Sequence, residues 1–471
     1  MKRGELKVYN TLTRRLETFE TIEPDVVRMY VCGVTPYASA HIGHAMSAIV
    51  FDVIRRYLEY SGYSVRHAQN FTDIDDKIIA RALLENIDPK TLTDQLIQSW
   101  HDETTALNVQ PATVYPRATL EIPFIIGMIE GLVDKGFAYP VAGDVYYRVR
   151  AFAGYGKLSH RNLDDLLSGA RIEVDERKED PLDFALWKAV KPGEPSWESP
   201  WGPGRPGWHI ECSAMCAHHL GGPVDLHGGG ADLIFPHHEN EIAQSEAYLG
   251  EAPFSRFWVH NGLLQFGGEK MSKSIGNIVQ IRQLLEQDLG VAFRVLVLQS
   301  HYRAPLTFTD EALQAADKGL DRLRTAAEAG PDVRSRSDVD ATALLETAAE
   351  RARANFVDAM NDDFNTPKAL AELFELARAI NRGSAAEAAG EAVSAAIATL
   401  SELCGVLGID LRPKRVEETG DADSYVDLLV RIRDELRAAK QWLLSDRIRD
   451  ELSGKGITIA DGPTGSTWRK A

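Results

Sequence analysis

Residues 31–46, VCGVTPYASAHIGHAM, place one thiol (Cys32) and two imidazoles (His41 and His44) close together. Histidines at i and i+3 share one face of a first helical turn. Gly43 between them leaves the backbone open to a ligand, and the N–H groups at a helix N-terminus attract phosphate. The pattern points to binding of nucleotide phosphates, although a four-residue pattern also arises from solvated or capping histidines. A second stretch, GGEKMSKSIGN (267–277), carries Lys270 and Lys273 among serines and glycines. Lysines on a loop of this composition neutralise charge developing on a pyrophosphate leaving group.

A third set suits a metal. GWHIECSAMCAHH (207–219) supplies Cys212, and FPHHENE (235–241) supplies His237 and Glu241 at i and i+4. With Cys32 these make two thiolates, one imidazole and one carboxylate, a donor set that fits zinc. Taken singly, a buried cysteine is usually core. Cys216 and His238 stand as competing ligands. Gly228, Gly229, Gly230 and Asp232 read as a loop that admits a nucleoside, with Asp232 set to hold ribose hydroxyls.

These residues need a frame. VVRMYVCG (26–33) reads as a buried strand, residues 41–62 as an amphipathic helix, and YSVRHAQNFT (63–72) as a second strand. Strand, helix, strand at this spacing is a βαβ unit and predicts a parallel sheet, whose ligands sit beyond the carboxyl ends of the strands. Cys32, His41, His44 and Thr72 all fall there. The pattern divides the chain into a first half of the parallel-sheet domain (1–120), an insertion (121–205) and a second half with the lysine loop (206–314). An Ala/Leu/Glu/Arg-rich helical bundle (315–410) follows, then a charged linker (410–423) and a small C-terminal domain (424–471).

The bulk numbers set limits. A length of 471 residues exceeds one ordinary core, and 44% hydrophobic with 26% charged residues is a globular composition. No apolar run approaches the ~18 residues of a membrane span, and the basic N-terminus lacks the apolar stretch of a signal peptide. Cys32, Cys212, Cys216 and Cys404 are scattered, with no CxxC pair, which suits a reducing compartment and predicts a cytoplasmic protein. The net charge of −17 argues against non-specific nucleic-acid binding but leaves room for a local basic patch. Residues 426–471 carry nine Lys/Arg against seven Asp/Glu, a balance of +2.

HIGH followed by KMSKS in this order resembles the class I aminoacyl-tRNA synthetases. YVCG, FTDIDDK, ARIEVDERKEDPLDFALWK, GWHIECSAM, DLHGGGADLIFPHHENE, KMSKSIGN, DDFNTPKALAELFELAR and SDRIRDELSGKGI extend the resemblance along nearly the whole chain to the cysteinyl-tRNA synthetase family. That resemblance implies an α/β fold. A Rossmann-type parallel-sheet catalytic domain with an insertion would be followed by a helical bundle and a C-terminal α+β anticodon-binding domain. It implies that His41, Gly43, His44, Gly229, Asp232 and Lys273 bind ATP, that Lys270 and Lys273 stabilise adenylate formation, and that Cys32, Cys212, His237 and Glu241 hold one zinc ion. Trp208, Thr72 and His227 would line the amino-acid pocket, and Trp468 and Arg469, with Lys470, would meet an anticodon base by stacking and pairing.

The expected reaction is cysteine plus ATP, supplied with Mg2+, to cysteinyl-adenylate and pyrophosphate, then transfer to tRNA(Cys) by a monomeric enzyme. Shape separates cysteine from serine by only ~1–3 kcal/mol. A thiol of pKa about 8.5 is readily held as thiolate by a metal, which a serine hydroxyl is not. The chain departs from the commoner family pattern at GVTPY, where Pro follows Thr. That form also occurs in ligases joining cysteine to an amino sugar in mycothiol synthesis. A small-acceptor cysteine ligase is therefore one alternative, and a non-catalytic zinc- and nucleotide-binding paralogue another.

Overall fold

The computed structural model describes residues 6–163, 176–266, 269–270, 279–329, 338–412, 421–462 and 465–470. The chain forms two compact units, 1–412 and 413–471.

The first unit is built on four parallel strands in the spatial order Ser255–Asn261, Val224–Gly230, Val26–Val34, Ser64–Phe71. The predicted βαβ unit is present. The Ile42–Tyr60 helix crosses from Val26–Val34 to Ser64–Phe71 and buries Ile49, Val50, Val53, Ile54 and Leu58 against the sheet. Register pairs Tyr30 with both His227 and Ala68, so Val26–Val34 is a central strand. The chain runs from it to Ser64–Phe71 on one side and later returns to Val224–Gly230 on the other, the strand-order reversal at whose carboxyl ends doubly wound sheets bind ligands. Gly33 sits in the bulge that ends this strand. A Cβ there would lie 1.7 Å from the Asn70 carbonyl oxygen, so only glycine allows the two backbones to approach.

Between the second and third catalytic strands the chain makes an antiparallel sheet, ordered Ala138–Val141, Asp144–Tyr147, Phe184–Ala189, Gly204–Pro206. Its own apolar cluster includes Ile125 and Ile129 of the Ile122–Asp134 helix with Val145, Tyr147, Leu186 and Trp187. After the catalytic strands, helices Asp310–Ala327, Val339–Asn361, Thr366–Ala385 and Gly390–Val406 pack together. Arg294 is fully buried among these parts. It pairs with Asp52 at 2.7 Å and donates to the carbonyls of Leu107 and Leu407.

In the second unit, helices Asp421–Ala438 and Trp442–Ser453 pack on a hairpin, Ile457–Gly462 with Gly465–Lys470. Arg433 is buried and pairs with Asp461 at 2.7 Å. The Trp468 indole N–H donates to Asp427 at 2.7 Å.

Candidate active site and metal centre

His41 is the N-cap of the Ile42–Tyr60 helix, and His44 is its N3 residue. Each ring accepts from the other residue's backbone N–H at 3.3 Å through Nδ1. This is a capping box with imidazoles in place of the usual hydroxyl and carboxamide. The rings stack 3.7 Å apart, 12° from parallel. The Ile42 N–H donates to the Val279 carbonyl at 3.0 Å and the Ile281 N–H to the Ala40 carbonyl at 3.1 Å. The segment that follows the lysine loop is thus fastened to the start of this helix. Lys270 ends the short strand Glu269–Lys270, while its side chain and the whole of Lys273 lie outside the described residues.

Four donors converge where the central strand ends. Ligand atoms of Cys32, Cys212, His237 and Glu241 all lie within 4.8 Å of one another. Cys32 comes from the strand end, Cys212 from the Trp208–Leu220 helix, His237 from the turn Ile234–His238 and Glu241 from the Glu239–Leu249 helix. Cys32 Sγ is 3.8 Å from Cys212 Sγ and 3.3 Å from Glu241 Oε1, and His237 Nε2 is 3.0 Å from Glu241 Oε1. Tetrahedral zinc with Zn–S of about 2.3 Å requires a sulfur–sulfur edge of about 3.8 Å. The donor set and its spacing therefore fit zinc.

The protonation of this cluster also suits a cation. The hydrogen bond from Cys32, acting against burial, lowers the Cys212 thiol to about 6. Burial and the neighbouring Cys212 raise Cys32. Burial would lower His237, but Glu241 and Cys212 raise it to about 10. Burial would raise Glu241, yet His227 and His237 hold its carboxyl well below the usual range. Cys212 and Glu241 thus share the proton of His237 as their positive partner, the place a divalent cation would take.

Of the two competing ligands, Cys216 is buried but joins none of the metal-fit clusters among the described residues. His238 Nε2 is 3.3 Å from Cys32 Sγ and forms a second grouping with Cys32 and His227. His227 is wholly buried, and its Nε2 is 2.9 Å from Glu241 Oε2. It reaches the cluster through that carboxylate. Trp208 is 38% exposed and stacks on His237 at 4.3 Å. Thr72 is buried beyond the Ser64–Phe71 strand and accepts from Asn70 at 3.3 Å. Gly228 to Gly230 end the Val224–Gly230 strand, and Asp232 follows in an exposed turn. A Cβ at Gly230 would lie 2.5 Å from Asp232 Oδ1.

Sequence reasoning missed His260. Its Nε2 meets His238 Nδ1 at 2.8 Å, and its Nδ1 meets Thr11 Oγ1 at 2.8 Å, so a line of polar contacts runs from Cys32 through His238 and His260 to Thr11. Burial lowers His260 to about 3, which keeps it neutral. The signal was its place at the carboxyl end of Ser255–Asn261, the rule that had singled out Cys32.

Residues 18–318 match the family described as tRNA synthetases class I (C) catalytic domain, and residues 355–412 match the DALR domain. The chain is 52% identical over 464 residues to the cysteine–tRNA ligase of Dehalococcoides mccartyi, covering 98% of this chain and 99% of that protein. The chain belongs to the cysteine–tRNA ligase family. The Desulfitobacterium hafniense cysteine–tRNA ligase is 49% identical, with 98% and 99% covered. Among solved structures, Mycobacterium tuberculosis methionyl-tRNA synthetase in complex with methionyl-adenylate superposes with a TM-score of 0.56 at 18% identity, covering 86% of this chain and 94% of that one. That likeness places the class I fold under a cysteine–tRNA ligase sequence.

Proposed function

We propose that the chain activates L-cysteine with ATP and transfers it to the 3′ end of tRNA(Cys), in the cytoplasm and as a monomer. The observation that carries this reading is the convergence of Cys32, Cys212, His237 and Glu241 at the end of the strand that leads into the His41–His44 helix. Zinc held by these four residues would supply a soft cationic partner that takes a thiolate and discriminates against a hydroxyl.

The remaining work belongs to side chains. ATP, carrying Mg2+, places its phosphates at the N-terminus of Ile42–Tyr60, where His41, Gly43 and His44 meet them as donors and the helix dipole favours negative charge. The reciprocal cap between the two histidines keeps their rings in place until phosphate arrives. Lys270 and Lys273 neutralise charge on departing pyrophosphate. Gly229 gives room for adenosine, and Asp232 holds ribose hydroxyls. Trp208 and Thr72 bound the amino-acid pocket. His227 holds Glu241 in its orientation, as outer partners of metal ligands do.

Trp468 and Arg469 are proposed to meet the tRNA anticodon. The Trp468 N–H is held by Asp427, which leaves the ring as the recognition surface. The curated relatives cover 98% of the chain, the C-terminal unit included, which favours a tRNA acceptor over a small amino sugar. No helix among the described residues is long and apolar enough to cross a membrane.

The test is transfer of labelled cysteine to total tRNA with ATP, beside a serine control. Base-labile label from cysteine alone is the expected result. ATP consumption with cysteine but no labelled tRNA would overturn the acceptor.

A further inference from the structure

The Trp208–Leu220 helix carries a second group of metal-type donors at its other end, among residues the reaction does not use. His218 and His219 lie in its last turn, and Glu121 faces them. Glu121 Oε2 is 2.7 Å from His218 Nδ1, and Glu121 Oε1 is 2.8 Å from His219 Nε2. We propose that Glu121, His218 and His219 form a second metal site, which takes one late first-row divalent cation such as Zn2+.

Four features support it. First, the donor side chains converge before any ion arrives, and their N···O pairs at 2.7 and 2.8 Å need open only to the ~3.3 Å edge of a tetrahedral zinc site. Glu121 is the N-cap of the Ile122–Asp134 helix, yet its side chain makes no cap hydrogen bond and is turned to the two rings instead. The carboxylate is buried, and the His218 ring stacks 3.5 Å from Phe124, 20° from parallel. Second, the site is reachable, because the His218 and His219 side chains keep 34% and 22% of their surface exposed. Third, the helix end favours a cation. The carbonyl end of a helix is the negative end of its dipole, and both histidines sit there. Fourth, two imidazoles and one carboxylate suit zinc, nickel, cobalt or copper, whereas calcium and magnesium want oxygen donors alone. Water would complete the coordination.

The ring nitrogens that meet Glu121, His218 Nδ1 and His219 Nε2, would offer their lone pairs to the ion. The ion would fasten the start of the insertion to the helix that carries Cys212, with no ligand shared between the two sites.

The test uses the full-length chain, with added Zn2+ competed against a chromogenic chelator. Wild type should take up one more equivalent than the His218→Ala chain. Glu121→Gln, which keeps the side-chain shape, should weaken that equivalent by at least about 100-fold, the upper end of what losing a hydrogen-bond partner of a metal ligand costs. Co2+ in this site should show no thiolate charge-transfer band, which separates it from the cysteine cluster. Cysteine-dependent ATP–pyrophosphate exchange should be unchanged in both variants at low free zinc. If the four-donor cluster held no zinc, the equivalent lost in His218→Ala would still be seen. Equal zinc uptake by wild type, His218→Ala and Glu121→Gln would overturn the proposal.

Discussion

The two ends of the Trp208–Leu220 helix hold metal-type donors under opposite conditions. At the first end Cys212 is 1% exposed and joins buried His237 and Glu241 and partly buried Cys32. At the second end one buried carboxylate meets two half-exposed imidazoles. The buried end shifts its own ionisation strongly, holding Cys212 at about 6 and His237 at about 10. Burial alone does not do this. Cys404 is equally buried in the helical bundle, and burial pushes its thiol up, the opposite direction. What separates the two thiols is the company of other titrating groups, and that company marks a site where burial alone marks packing.

Substitutions can break this contrast, and the largest effect belongs to the buried end. Cys212→Ser should lose zinc and cysteine activation together, by more than the ~10–100-fold that outer partners contribute. Metal analysis beside ATP–pyrophosphate exchange reads it, and normal zinc with normal exchange would remove the cluster from the site. His227→Ala takes away the partner of Glu241 Oε2 and should cost about 10–100-fold in zinc affinity. Trp208→Ala opens the wall against His237 and should raise the KM for cysteine about 10-fold, within the range set by pocket contacts, with kcat less affected. Cys404→Ala, the counterpart thiol, should leave zinc content and activity unchanged and cost about 1 kcal/mol in denaturant unfolding. The smallest effect falls at the exposed end, where His218→Ala should leave aminoacylation at its wild-type rate.

Much of the frame was legible in the chain. The strand at 26–33 and the helix at 41–62 appear as Val26–Val34 and Ile42–Tyr60, because long apolar patterns with a clear period survive tertiary context. The strands of the insertion were not read, since Ala138–Val141 and Gly204–Pro206 are too short to show a period. Within the site, the four donors could be nominated from residue type and strand-end position. Sequence could not separate His237 from His238, which are neighbours on one turn. Only coordinates show His237 beside Glu241 and His238 joined to Cys32 and His260. His260 has the strand-end position that marks Cys32, but no neighbouring motif ties it to His238. Glu121 and His218 are far apart in sequence, and nothing in either segment announces the other.

The most direct test of the central claim is ATP–pyrophosphate exchange with cysteine and with serine, followed as zinc is returned to metal-stripped chain. The account predicts that cysteine-dependent exchange rises with zinc at the Cys32–Cys212–His237–Glu241 cluster, while serine-dependent exchange stays at background. Metal-stripped chain that activates cysteine as fast as zinc-loaded chain, with the same preference over serine, would contradict it.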